Sequence, residues 1–238
     1  MKQVMMALAL LAGGAALAAP EAKKTKAAPI KTATQTAAKT GTGATARTPE
    51  GFFVRGAPTA KVKLVEYASF TCPHCAAFAR ESKEELTPLI SSGRVSLELR
   101  PALRDQLDLS AAIVARCVGP RRYFDAVEAI FAEQPQWFDK GLAYAQGEGA
   151  KAQGALGERL RKLADAAGLS AIGARYGATP AKLTACFADR AANQKLADQA
   201  QAAWQKISGT PSFFVGDDKL KAGDWATLEP LIKARLKG

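Results

Sequence analysis

At 238 residues, 48% of them hydrophobic, the chain is long enough to bury one sizeable core, or one core carrying a large insertion. Its formal net charge of +11 is spread diffusely, without the clustered basic and aromatic residues of a nucleic-acid face, so nucleic acid is excluded as a partner. Only the N-terminus holds an apolar run approaching the length of a membrane span.

Met1 and Lys2 form a short charged start, Val4 to Ala12 an apolar stretch, and Gly13 to Ala19 a small-residue run with Ala16-Leu17-Ala18 as a cleavage site. This predicts a signal peptide over residues 1–19 and a periplasmic protein. An uncleaved anchor is disfavoured because the run is shorter than the ~18 residues of a span and is interrupted by Gly13 and Gly14. Export places the four cysteines where disulfides persist. From Pro20 to Glu50 almost no large apolar residue occurs, so this stretch cannot offset its chain entropy by burial. It predicts a disordered basic linker over residues 20–50, read as a solubilising tether, with attraction to anionic lipids as the alternative.

A folded domain is predicted over residues 51–238. A short apolar stretch at Phe52 to Val54 reads as an edge strand, and Val62 to Phe70 as a buried one. Pro73 occupies a first helical position, and the helix is predicted to run to about Ser91, with a kink or fresh start at Pro88 and a stop at Gly93. Val95, Leu97 and Leu99 alternate with polar residues until Pro101, which completes a strand-helix-strand unit with a right-handed parallel crossover. The next hundred residues are helical in character, broken at Gly119-Pro120, Gln134-Pro135, Gly147 to Gly157, Gly168 and Thr179-Pro180, which predicts four or five helices. Tyr123, Phe124, Ile130, Phe131, Trp137 and Trp204 in this block read as core. Strands return at Ser212 to Val215 and near Lys219 to Ala222, and an amphipathic helix over Trp225 to Leu236 closes the chain. The fold class is α/β, one sheet interrupted by a helical insertion at about 106–207.

Where the buried strand gives way to the first helix lies Cys72-Pro73-His74-Cys75, which holds the chain's only histidine. A Cys-x-x-Cys at such a junction signals redox chemistry: the helix N-terminus offers partial positive charge and free N–H groups to a thiolate. Cys72 is the expected nucleophile, Cys75 the more buried resolving thiol, and His74 a charge or hydrogen bond that lowers the Cys72 pKa. His74→Ala is then expected to raise it. Zinc would need further ligands, and only the distant Cys117 and Cys186 remain, so no metal is expected. Haem attachment would require histidine where Ala76 stands. An acid at Glu66 within the apolar run either has a role that offsets its burial or points to solvent.

Together with Glu66 and with Gly209-Thr210-Pro211, the motif resembles the DsbA-like branch of the thioredoxin superfamily, from Phe52 to the C-terminus. The resemblance implies a thioredoxin fold whose helical insertion lies between the third strand and the cis-proline segment. It implies that Glu66 is a buried acid relaying the Cys75 proton, and that Thr210-Pro211 is a cis bond presenting the Thr210 backbone to an extended substrate segment. No cofactor is implied beyond the Cys72-Cys75 disulfide. The activity implied is that of a thiol:disulfide oxidase, a monomer acting on reduced or unfolded exported proteins and reoxidised by a membrane-bound partner. An isomerase or reductase of the same fold is the alternative, because threonine before the cis-proline is also typical of isomerases. A non-catalytic binding module or holdase is the second. With the first pair accounted for, Cys117 and Cys186 either form a disulfide worth roughly 4 kcal/mol in the entropic model, or pack as buried free thiols.

Overall fold

A computed structural model of the chain describes residues 45–238. The expected signal peptide, and the linker up to residue 44, lie outside the described residues. Its last part does not remain a linker: Thr45–Arg47 forms strand β1, paired antiparallel with β2 (Phe53–Arg55). The hairpin between them closes through Gly51 at φ +96°, and the Arg47 guanidinium lies 5.0 Å from the centre of the Phe53 ring. Backbone pairing holds this edge, with the Arg47 and Arg116 guanidinium groups both over the Phe53 ring, contacts that leave no hydrophobic pattern in residues 45–47.

Strand β3 (Val62–Ala68) and β4 (Val95–Pro101) are parallel, and β5 (Ser212–Val215) and β6 (Asp218–Lys219) complete a six-stranded sheet in the order β1-β2-β4-β3-β5-β6. Central β3 is covered on both faces, which explains its nearly continuous apolar run. Val62, Leu64 and Ala68 join the main core; Val65 and Tyr67 join a smaller cluster with Ala203 and Ile207. Because side chains alternate along a strand, Glu66 belongs to the main-core face.

The helix after β3 is divided into α1 (Pro73–Glu81) and α2 (Lys83–Ser91), broken at Ser82 rather than at Pro88. Pro88 lies inside α2, where it cannot donate to the Glu84 carbonyl, and the break falls six positions upstream of it. Between β4 and β5 stand seven α-helices, not four or five: α3 (Gln106–Cys117), α4 (Tyr123–Ala132), α5 (Gln134–Gln146), α6 (Leu156–Ala167), α7 (Leu169–Arg175), α8 (Pro180–Ala188) and α9 (Arg190–Trp204). Left-handed Gly168 at φ +86° separates α6 from α7. The Asp189 carboxylate, accepting from the Ala192 N–H at 3.0 Å, starts α9 where no glycine or proline marks a break. The final helix α10 (Trp225–Lys237) begins at a capping box between Asp224 and Thr227.

Candidate active site

The residue before a proline is pushed out of helical conformation, so Pro73 forces Cys72 to remain extended (φ −87°, ψ 120°) as the N-cap of α1. Its sulfur therefore faces the N–H groups of His74 and Cys75, which no helical carbonyl takes. The Cys72 thiol donates to the Thr210 carbonyl at 3.2 Å, across a Thr210-Pro211 bond that is cis. The two thiols are not bonded to each other. A hydrogen bond from Cys75 is the largest influence bringing the Cys72 thiol down to about 5, helped by Thr210 and by the two backbone N–H groups against the effect of burial. Cys75, fully buried one turn later, moves the opposite way: burial, the hydrogen bond with Cys72 and the nearby Glu66 charge push it well above the ordinary thiol range.

Glu66 is 4% exposed and pairs in register with Leu99 on one side and Phe213 on the other. Burial raises its carboxyl to about 8, against the pull of Arg55 on β2. Its Oε1 has no hydrogen-bond partner among the described residues. The structure thus brings Cys72, Cys75, Glu66, Thr210 and Pro211 together. The His74 side chain is exposed beside them, and no hydrogen bond from its imidazole is found among the described residues. Cys117 and Cys186 are joined as a disulfide tying α3 to α8.

Three residues that hold the site carried no recognisable sequence signal. The carboxylate of Asp108, fully buried on α3, accepts from the Ser69 hydroxyl at 2.6 Å, the Phe70 N–H at 2.7 Å and the Arg104 N–H at 3.1 Å. Arg104 donates to the Thr71 carbonyl at 2.6 Å and to its hydroxyl at 3.0 Å. The Gln134 amide, at the start of α5, donates to the carbonyls of Phe70 at 2.6 Å and Cys72 at 2.9 Å. The segment from Ser69 to Cys72 is therefore fastened by side chains from beyond β4. Ser69 links this clamp to both thiols: its carbonyl accepts from the Cys72 N–H at 3.1 Å, and its N–H points to the Cys75 sulfur. An acid three residues into an apolar helix and a glutamine before Pro135 were the only hints, and both also read as ordinary helix starts.

This geometry, two thiols of opposite acidity over a buried acid and beside a cis-proline, can exchange disulfides. A family model described as thioredoxin matches residues 48–234. The chain belongs to the thioredoxin family. Among its thioredoxin-like relatives, a provisionally named protein-disulfide oxidoreductase of Rickettsia bellii is 29% identical over 170 residues, covering 70% of this chain and 57% of that protein. A Rickettsia prowazekii protein of the same description is 31% identical over 68% of this chain and 53% of its own length. The chain thus spans somewhat over half the length of these relatives. A solved protein-disulfide isomerase from Novosphingobium aromaticivorans is 34% identical with a TM-score of 0.70, covering 78% of this chain and 97% of that one. Wolbachia pipientis alpha-DsbA1 shares the fold at 22% identity and a TM-score of 0.60, over 77% of this chain and 90% of its own.

Proposed function

We propose that this protein is a periplasmic thiol:disulfide oxidoreductase that donates its Cys72-Cys75 disulfide to reduced or unfolded exported proteins. The observation that carries this reading is the opposed acidity of the two thiols at one helix N-terminus. A substrate thiolate attacks the Cys72 sulfur, a mixed disulfide forms, and Cys75 leaves as a thiolate that takes a proton from Glu66. A second substrate thiolate then attacks the substrate sulfur of the mixed disulfide, and Cys72 departs as the thiolate its surroundings favour. Because those surroundings stabilise the reduced form, the disulfide form is an oxidant. Glu66 is the proton partner of Cys75, Thr210 offers its backbone to an extended substrate segment, and Cys72 is the nucleophile. A monomer reoxidised by a membrane-bound partner completes the cycle. The Cys117-Cys186 disulfide and the signal-like N-terminus support an oxidising compartment.

Isomerisation is the second reading, favoured by the 34% identical isomerase structure and by Thr210 before the cis-proline. The reduction potential of the Cys72-Cys75 pair, with paired assays on reduced and on scrambled substrates, separates the two. An oxidising potential with rapid oxidation of reduced chains is expected. Efficient reshuffling with poor oxidation would overturn the oxidase reading in favour of the isomerase. Full activity in Cys72→Ser would defeat both.

A further inference from the structure

Three cationic side chains from three elements converge on the turn that joins β1 to β2. The backbone at Gly51 is left-handed, at φ +96°, and a Cβ there would stand 3.5 Å from the Lys195 Nζ of α9 and 3.8 Å from a guanidinium nitrogen of Arg47 on β1. Arg116, in the last turn of α3, donates to the Gly51 carbonyl at 3.4 Å. The Arg47 and Arg116 guanidinium groups also lie over one Phe53 ring, at 5.0 and 5.6 Å from its centre, which keeps the two charges close together. Gln199, one turn after Lys195, donates to the Glu50 carbonyl at 2.8 Å and so pins α9 to the turn. Among the described residues no carboxylate pairs with Arg47, Arg116 or Lys195. Glu50, beside Gly51, feels the Lys195 charge without forming an ion pair with it. Arg116 is half-buried, and its burial together with the Arg47 charge lowers its pKa. Like charges gathered and partly withdrawn from water cost free energy that an anion between them offsets.

We propose that this cradle binds a phosphate monoester or inorganic phosphate, with Arg47, Arg116 and Lys195 each donating to a different oxygen beside the bare face of Gly51. Three donors arriving from β1, α3 and α9 call for three acceptor oxygens, which such a group has and a carboxylate lacks. The guanidinium groups supply planar forks and the lysine a point charge. A side chain at position 51 would take up the space between Lys195 and Arg47, so glycine keeps the cradle open as well as allowing its backbone angle. The bound anion offsets the repulsion between the guanidinium groups and ties the edge of the sheet to the helical insertion. Arg47 and Lys195 are exposed, so the site can be reached by free phosphate or by the monoester headgroup of a lipid such as phosphatidic acid.

The test is calorimetric titration of the full chain with inorganic phosphate at constant ionic strength, in the parent, in Arg47→Gln with Lys195→Gln, and in Lys140→Gln with Lys162→Gln. The last variant removes the same charge from exposed positions on α5 and α6. The Arg47 and Lys195 substitutions are expected to weaken phosphate binding roughly tenfold or more, and the α5 and α6 substitutions to leave it unchanged. Sedimentation with phosphatidic acid vesicles, against phosphatidylglycerol vesicles as an anionic diester reference, separates the two sources. A preference for phosphatidic acid that disappears with Arg47 and Lys195, without binding of inorganic phosphate, assigns the site to a headgroup. The proposal is overturned if neither probe binds, if the two variants behave alike, or if the only binding is to vesicles without preference between the lipids. Amide resonances of the unmodified protein, titrated with inorganic phosphate or with short-chain phosphatidic acid, do not depend on how a variant folds. The largest shifts are expected at Glu50, Gly51 and Phe52, and shifts centred on another part of the chain would overturn the proposal.

Discussion

Cys72 and Cys75 differ by three positions in the chain and by a large margin in acidity, and the difference is made first by the hydrogen bond between them and the deeper burial of Cys75, with the helix start adding two backbone N–H groups at Cys72. The N–H groups that face Cys72 belong to the backbone, so the imidazole of His74 is not the principal source of its thiolate character. His74→Ala is therefore expected to leave Cys72 titrating well below the ordinary thiol value of 9.0, whereas Cys75→Ala removes its largest hydrogen-bond influence and raises it. Thiolate absorbance against pH checks both. The pair also sets a pH dependence of stability with opposing signs. A lowered acid stabilises the fold fully above its ordinary value and loses that contribution as pH falls through the folded value, so Cys72 adds stability to the reduced protein as pH rises from about 5 towards 9. Raised Glu66 does the reverse and costs stability as pH rises from 4.5 to about 8. Urea unfolding is expected to show the oxidised protein losing stability across that window, the reduced protein changing less, and Glu66→Gln removing the loss between about pH 6 and 8 in the oxidised form, while the part below about 6 that buried Asp108 contributes remains.

Among the elements, the junction of β3 and α1 is the part most readable from sequence, because Pro73 both ends the extended segment and starts the helix. The clamp on that junction is different. Asp108, Arg104 and Gln134 reach Ser69 to Cys72 from 33 to 64 positions away, through polar groups that also suit helix starts. Gln134→Ala leaves the carbonyls of Phe70 and Cys72 without these donors inside the protein, which is expected to cost about 1–3 kcal/mol in urea unfolding. If Gln134 also positions the nucleophile, the same substitution raises the Cys72 titration, while a purely structural role leaves it fixed. The extra start at Asp189 was illegible for a related reason: it is decided by one hydrogen-bonded turn rather than by a run of residues.

Across the whole molecule, the helical block and the sheet form one structure, since α3 supplies both the Asp108 contact with the active-site segment and one end of the Cys117-Cys186 disulfide. Replacing both cysteines by alanine is expected to cost roughly 4 kcal/mol on the loop-entropy argument, read as a lowered denaturant midpoint. Sheet and insertion were legible because period-two and helical patterns are local: Val95, Leu97 and Leu99 announce a strand wherever they pack. The redox pair was legible because Cys72-Pro73-His74-Cys75 is contiguous. Local patterns were enough for the α/β class, the thiol pair and the helix start at Pro73. Packing across the fold is what brings β1 into the sheet, sets Arg55 beside Glu66 and pairs it with Glu128, and lets Asp108 and Gln134 fasten the nucleophile's approach. Those are hydrogen bonds and ion pairs between residues distant in the chain, whose geometry exists only once the apolar faces have packed.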